Sequence, residues 1–194
     1  MTTAGSRRMT LVRALQWKRL DTPGSEYLSL FQVADGWRLK GTAVVTLDGK
    51  PLVVRYTVRC GEPWDTRDVE VTVESGASIR QLRLTARDGR WHSAGDPLAA
   101  VDGAIDVDLG VTPSTNTLPI RRVPLEVGQH ADLVVAWVRF PDLAVTRSDQ
   151  RYTRLAENVY RYESGSFTRD IEVDDLGLVT DYPGLFVRES VLSG

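Results

Sequence analysis

Apolar and polar residues alternate along most of the chain, the period-two pattern of strands that bury one face. Trp37, Leu39, Ala43, Val45 and Leu47 share one parity, interrupted by Gly41, while Arg38, Lys40 and Thr42 share the other. Leu52, Val54, Tyr56 and Val58 alternate with Arg55, Thr57 and Arg59, and Val69, Val71 and Val73 alternate with Asp68, Glu70, Thr72 and Glu74. Leu82, Leu84 and Ala86 face away from Gln81, Arg83, Thr85 and Arg87, as Phe167, Ile171 and Val173 do from Thr168, Asp170 and Glu172. The connections carry turn residues: Asp35-Gly36, Asp48-Gly49, Ser75-Gly76, Asp88-Gly89, Ser164-Gly165 and Asp175-Leu176-Gly177. They predict tight hairpins and antiparallel pairing of neighbours. Leu133 to Phe140 is apolar on both parities, which predicts a central strand covered on both faces. Roughly a dozen or more strands are too many for one flat sheet, so curling or closure is expected.

Helix is scarce in this pattern. Thr112 can cap a short helix with Pro113 at its first position, and Pro119 would stop it after about two turns. A second, weakly patterned helix is possible in residues 6–16. No segment between strands is long and helical enough for a βαβ crossover. With no Pro- or Ser-rich linker and no internal repeat, the chain reads as a single domain over residues 1–194.

Composition narrows the function classes. The chain has 194 residues, 42% hydrophobic and 26% charged, enough to bury one good-sized core. Its formal charge of -2 gives no basic surface for nucleic acid. The cations are nearly all Arg, with only Lys18, Lys40 and Lys50 as lysines, which either favours bidentate anion contacts or follows genome composition. Cys60 is the only cysteine, so neither an intrachain disulfide nor a Cys-based metal site can form. The N-terminus lacks the apolar core of a signal peptide and no apolar run approaches the ~20 residues of a bilayer span. A soluble cytoplasmic protein without a transmembrane segment is the expectation.

Candidate chemistry concentrates in residues 102–122, which bring together carboxylates, hydroxyls, an amide and two guanidiniums. Asp106 and Asp108 would project from one strand face with Cα atoms about 6.6 Å apart, a range open to paired-carboxylate glycoside hydrolysis. The same carboxylates could equally bond Arg121, Arg122 or nearby amides as a structural network. An EF-hand reading fails, because Gly110 stands where an oxygen ligand is needed and Thr117 where the bidentate Glu belongs. His92 and His130 are isolated, so no zinc site is expected. Gly76-Ala77-Ser78-Ile79-Arg80 lacks the closing Gly of a nucleophile elbow, and Cys60 near Trp64 reads as a packing residue. What remains suits binding: Trp17, Trp37, Trp64, Trp91, Trp137, Tyr56, Tyr152, Tyr160, Tyr162 and Tyr182 offer flat amphipathic faces. Residues 112–117 offer polyol partners, and Arg121 and Arg122 could take a carboxylate or phosphate.

The run from Asp102-Gly103-Ala104-Ile105-Asp106-Val107-Asp108-Leu109-Gly110 through Val111-Thr112-Pro113-Ser114-Thr115-Asn116-Thr117-Leu118-Pro119-Ile120-Arg121-Arg122 closely resembles the hallmark segment of the glycolipid-binding family, formerly a domain of unknown function. Trp17 with Gly24-Ser25-Glu26, Tyr56-Thr57-Val58-Arg59-Cys60 with Trp64 and Arg67, Gly89-Arg90-Trp91, Gln150-Arg151-Tyr152 and Leu178–Phe186 extend the resemblance over residues 14–190. It implies a strongly curved antiparallel meander forming a barrel-like body with an internal cavity, similar to bacterial lipoprotein carriers. The reading that follows is noncatalytic binding of a glycolipid or other amphiphile. Asp106, Asp108, Asn116, Arg121 and Arg122 would meet the polar head, and Tyr56, Trp64, Trp137 and Tyr152 the apolar part, with Arg67 also at the site. No cofactor, metal or nucleic acid is expected. The alternatives are a glycoside or ester hydrolase using Asp106 and Asp108, or a structural or interaction domain.

Overall fold

The computed structural model describes residues 9–194 of the chain. The first half is β1 (Thr10–Arg19), β2 (Gly24–Val33), β3 (Gly36–Leu47), β4 (Lys50–Cys60), β5 (Thr66–Ser75), β6 (Ser78–Arg87), β7 (Arg90–Ser93) and β8 (Asp96–Pro97). A 3-10 turn at Ala99–Val101 leads to β9 (Asp106–Leu109), and a second at Ser114–Asn116 runs into α1 (Thr117–Arg122). The second half is β10 (His130–Val138), β11 (Val145–Ala156), β12 (Val159–Ser164), β13 (Phe167–Val173), β14 (Val179–Tyr182) and β15 (Phe186–Ser193).

All fifteen strands form one curved sheet, ordered β8-β7-β6-β5-β4-β3-β2-β1-β15-β14-β13-β12-β11-β10-β9. The architecture is all-β and curved, as expected, but it differs from a single antiparallel meander with a barrel-like body in three respects. Two meanders are joined through the antiparallel pairing of β1 with β15. β9 lies parallel to β10, and the connection between them carries the short helix α1, a crossover the strand pattern did not predict. The sheet is also not closed, since no ladder joins its end strands β8 and β9. β8 is too short to template a further strand, and its Pro97 has no N–H to offer one.

Residues 10–19 form a strand where a helix was possible, and residues 6–8 of that expected helix lie outside the described residues. β1 pairs on both sides, with β2 and with β15, and buries Leu15 and Trp17 around exposed Gln16. Two complete ladders outweigh a weak local preference. β10 is covered at Val135 and Ala136 on both parities but lies second from the end of the sheet, not at its centre.

The buried parity of each strand faces inward in register. Leu15, Leu28, Gly41, Tyr56, Val71 and Leu82 form one row across six strands. The segment 111–120 fills the concavity: every residue there except half-buried Asn116 is buried. Pro119 sits inside α1 and does not end it. It is the third helical residue, in the first turn where a backbone N–H has no intrahelical partner to lose. Trp91 Nε1 donates to the Ala104 carbonyl at 2.8 Å and Trp17 Nε1 to that of Val179 at 2.8 Å, tying the lead-in to β9 and the second meander to the first.

Candidate functional site

Between the inner segment and the second meander lies a cavity of about 350 Å³. One wall is apolar and aromatic, from Trp137, Tyr162, Phe167, Tyr182, Leu185 and Phe186. The other is polar, from Asp108, Thr112, Asn116, Ser148 and Ser164, with Gly110 between. The rings form a continuous cluster: Tyr162 lies 6.0 Å from Phe167 and 6.5 Å from Tyr182, which lies 6.3 Å from Phe186. Gly110 is needed here, because a Cβ would come within 2.9 Å of Trp137 Nε1. Of the other hollows, those of 470 and 540 Å³ are rich in exposed charged residues, several of them already ion-paired, such as Arg151 with Asp132 and Arg59 with Asp35, and that of 440 Å³ is lined mainly by hydroxyls and aromatic rings beside Lys40, Arg55 and Glu70. The smaller cavity has the mix of apolar wall and few convergent polar groups that ligand sites show.

Asp108 stands on the polar wall, where Gln150 Nε2 donates to its Oδ2 at 2.7 Å. Burial pushes its carboxyl up to about 6, against the pull of the Gln150 and Thr115 hydrogen bonds. Asn116 is fixed from two sides: Tyr152 donates its hydroxyl to Oδ1 at 2.8 Å, and Nδ2 donates to the Pro113 carbonyl at 3.1 Å. Thr112 connects the cavity to a buried network. Its hydroxyl donates to Glu26 Oε1 at 2.8 Å, and Tyr56 donates to the same carboxyl oxygen and lies 2.7 Å from Ser114 Oγ. Burial pushes Glu26 up to about 7, opposed by the Tyr56 and Thr112 hydrogen bonds and by the charge of Arg19.

Of the residues expected at the site, Asp108, Asn116 and Trp137 line this cavity, and Tyr152 and Tyr56 stand one hydrogen bond behind it. The others lie elsewhere. Asp106 is fully buried and accepts Arg122 Nε at 3.0 Å and Nη2 at 2.6 Å. Only one carboxyl of the Asp106/Asp108 pair therefore faces the cavity. Arg121 lies over the Trp64 ring at 5.7 Å, Trp64 stacks on Trp37 at 4.5 Å, and Arg67 pairs with Asp65 at 2.6 Å. Tyr162, Phe167, Tyr182, Phe186, Ser148, Ser164 and Glu26 were not among the expected site residues. The sequence signal of the four rings is the aromatic enrichment of the last third of the chain, where the inward parity carries rings while β2–β6 carry mostly aliphatics; Ser148, Ser164 and Glu26 carry no such signal.

The model of the family described as "Putative glycolipid-binding" matches residues 14–188. The chain belongs to this family. A crystal structure of a DUF1089-family protein from Pseudomonas aeruginosa is similar at 36% identity and a TM-score of 0.78, over 84% of this chain and 92% of that one. Comparison with curated proteins gives no match. No helix among the described residues is long and apolar enough to cross a membrane.

Proposed function

We propose that this member of the glycolipid-binding family is a noncatalytic binder of an amphiphile whose polar, glycolipid-like head occupies the cavity between the inner segment and β10–β15. The observation that carries the reading is the pairing of an aromatic wall with a polar one of carboxyl, amide and hydroxyl groups. Rings offer faces on which a sugar stacks, and the polar wall offers acceptors and donors at its edge. At about 350 Å³ the cavity is near the lower end for small-molecule sites, room for a head group and the start of a chain. Asp108, Asn116 and Trp137 would contact the head directly, with Tyr152 and Tyr56 holding Asn116 and Thr112 in place.

Native mass spectrometry of protein purified from its own host, followed by organic extraction, tests this reading. A stoichiometric amphiphile retained by the wild type and lost from Trp137→Ala and Asp108→Asn is the expected result. Retention undiminished in both variants places the ligand elsewhere, and protein recovered without any amphiphile overturns the reading.

A further inference from the structure

The two carboxylates of β9 are satisfied differently. Asp106 is fully buried and paired with Arg122. Asp108 is half-buried on the cavity wall and forms no ion pair among the described residues, its hydrogen bond coming from the neutral amide of Gln150. It is also the only charged side chain among the described residues that line the cavity. A carboxylate withdrawn from water normally finds a cation or keeps its proton. The rings around it are suited to the cation. Trp137, the ring type that attracts cations best, stands opposite Asp108 across the parallel β9/β10 ladder. Tyr162, Phe167 and Tyr182 lie 6.0 to 6.5 Å apart with their planes inclined to one another by 51° to 69°. Rings tilted in this way enclose a compact group, as aromatic cages do for ammonium ions, whereas a flat sugar face is served by a single ring.

We infer that Asp108 and the rings of Trp137, Tyr162 and Tyr182 form a cage for a cationic nitrogen, so that the head of the bound amphiphile carries an ammonium group. The inference rests on the amphiphile reading of the cavity and specifies the charge of the head. The protein's own cations near the cavity are engaged elsewhere. Arg169 stands 4.9 Å over Phe167 and donates to the Thr168 carbonyl, and Arg19 stands 5.3 Å over Phe186 and pairs with Asp21. An anionic group in contact with Asp108 would be repelled. A metal ion needs several oxygen or nitrogen ligands, and no group of three or more His, Cys, Asp or Glu that could hold one occurs among the described residues. An organic ammonium needs one carboxylate and several ring faces, which is what the cavity provides.

Isothermal titration below the micelle-forming concentration tests it with three probes: octyltrimethylammonium, tetramethylammonium and octyl β-D-glucoside, which has the chain with an uncharged head. At pH 7.5 wild-type protein is expected to prefer octyltrimethylammonium to octyl glucoside by about tenfold or more, the worth of a partly desolvated carboxylate and ring contacts to a cation. A quaternary ammonium has no proton to lose, so any pH dependence belongs to the protein. With the Asp108 carboxyl pushed up to about 6, a proton competes for it and the preference should fall by about tenfold between pH 7.5 and 5. The other groups near it are Tyr152, Tyr162 and Tyr182, whose hydroxyls burial pushes up, Asp106 paired with Arg122, Arg169 over Phe167, and Glu26 behind Thr112. Asp108→Asn, which keeps an acceptor for Gln150, should remove both the preference and its pH dependence, whereas dependence that came from Glu26 would persist. The wild-type preference and pH profile remain readouts even if the variant does not fold. Octyl glucoside binding as tightly as octyltrimethylammonium to the wild type, or an unchanged preference in folded Asp108→Asn, overturns the ammonium cage and leaves the amphiphile reading standing. Tetramethylammonium binding as tightly as octyltrimethylammonium supports the cage and overturns the amphiphile reading. Binding of none of the three overturns both.

Discussion

Arg122 closes two donors on Asp106, a carboxylate with no exposure, while the neighbouring Arg121 is exposed and lies over Trp64. Burial pushes the Asp106 carboxyl up, and Arg122 pulls it back by hydrogen bonds and charge. Removing one partner of such a pair leaves an uncompensated buried charge, so Arg122→Ala should cost about 3–5 kcal/mol. Arg121→Ala should cost less than about 1 kcal/mol, the usual range for an exposed contact. Urea unfolding of both variants checks this, and equal losses would show that Arg122 is not the partner that matters. The sequence placed Asp106 and Asp108 on one strand face, which β9 confirms. It could not assign their partners, because Arg122 arrives from a helix and Gln150 from a strand 42 residues away. The same limit separated Arg121 from Arg122: adjacent guanidiniums look alike in sequence, and the turn of α1 decides which one points inward.

Among elements, the strands of the first meander were legible because a half-buried strand repeats every two residues and its hairpin turns need positive φ. Asp48-Gly49 and Asp88-Gly89 take φ values of 50° and 73°, and 51° and 72°, the geometry of type I′ turns. The break at Gly41 was legible only as an interruption. In the structure Gly41 occupies the inward position between Leu28 and Tyr56, and the Tyr56 ring lies where a Cβ at 41 would be. That close approach lets a residue of β4 reach across β3 to Glu26 on β2. Gly41→Ala should displace the ring, break the Tyr56 bonds to Glu26 and Ser114, and destabilise the fold by about 1–3 kcal/mol or more. Adding Tyr56→Phe to Gly41→Ala should then cost much less than Tyr56→Phe alone, a coupling that a double-mutant cycle measures. Strict additivity would mean that the glycine serves something else. The β9/β10 pairing and the inner segment were not legible for the opposite reason: a parallel edge pair and a plug of mixed polarity leave no periodic signature and are fixed by what surrounds them.

At the scale of the whole molecule, the concavity holds acids that folding makes weaker, which sets how stability depends on pH. Glu26 moves from 4.5 to about 7 and Asp108 from 3.8 to about 6, both mainly through burial. The folded state thus holds more protons than the unfolded chain across these windows, and stability falls as pH rises through them. The contribution of Glu26 is complete below about pH 4.5 and lost as pH passes 7. For this 3%-exposed carboxyl the difference is roughly 3 kcal/mol, or roughly 6–12 °C in Tm for a domain of this size. Acid-side loss comes from groups shifted the other way. Arg19 holds Asp21 below the ordinary carboxylate range against the desolvation that raises it, and Arg161 does so for Asp170, so their stabilisation disappears as pH falls through those lowered values. Maximal stability is therefore expected on the acid side, near pH 4, where the lowered acids are ionised and the raised ones still protonated in both states. The groups that act on Glu26, namely Tyr56, Thr112 and Arg19, include no other carboxyl to mask its effect. Thermal melts from pH 4 to 8 should show the decline above pH 5, and Glu26→Gln, which keeps an acceptor for Tyr56 and Thr112 without an ionisable proton, should flatten most of it. A wild-type Tm that instead rises from pH 5 to 8 would mean that Glu26 is ionised in the folded protein, held by Arg19 across the gap between them.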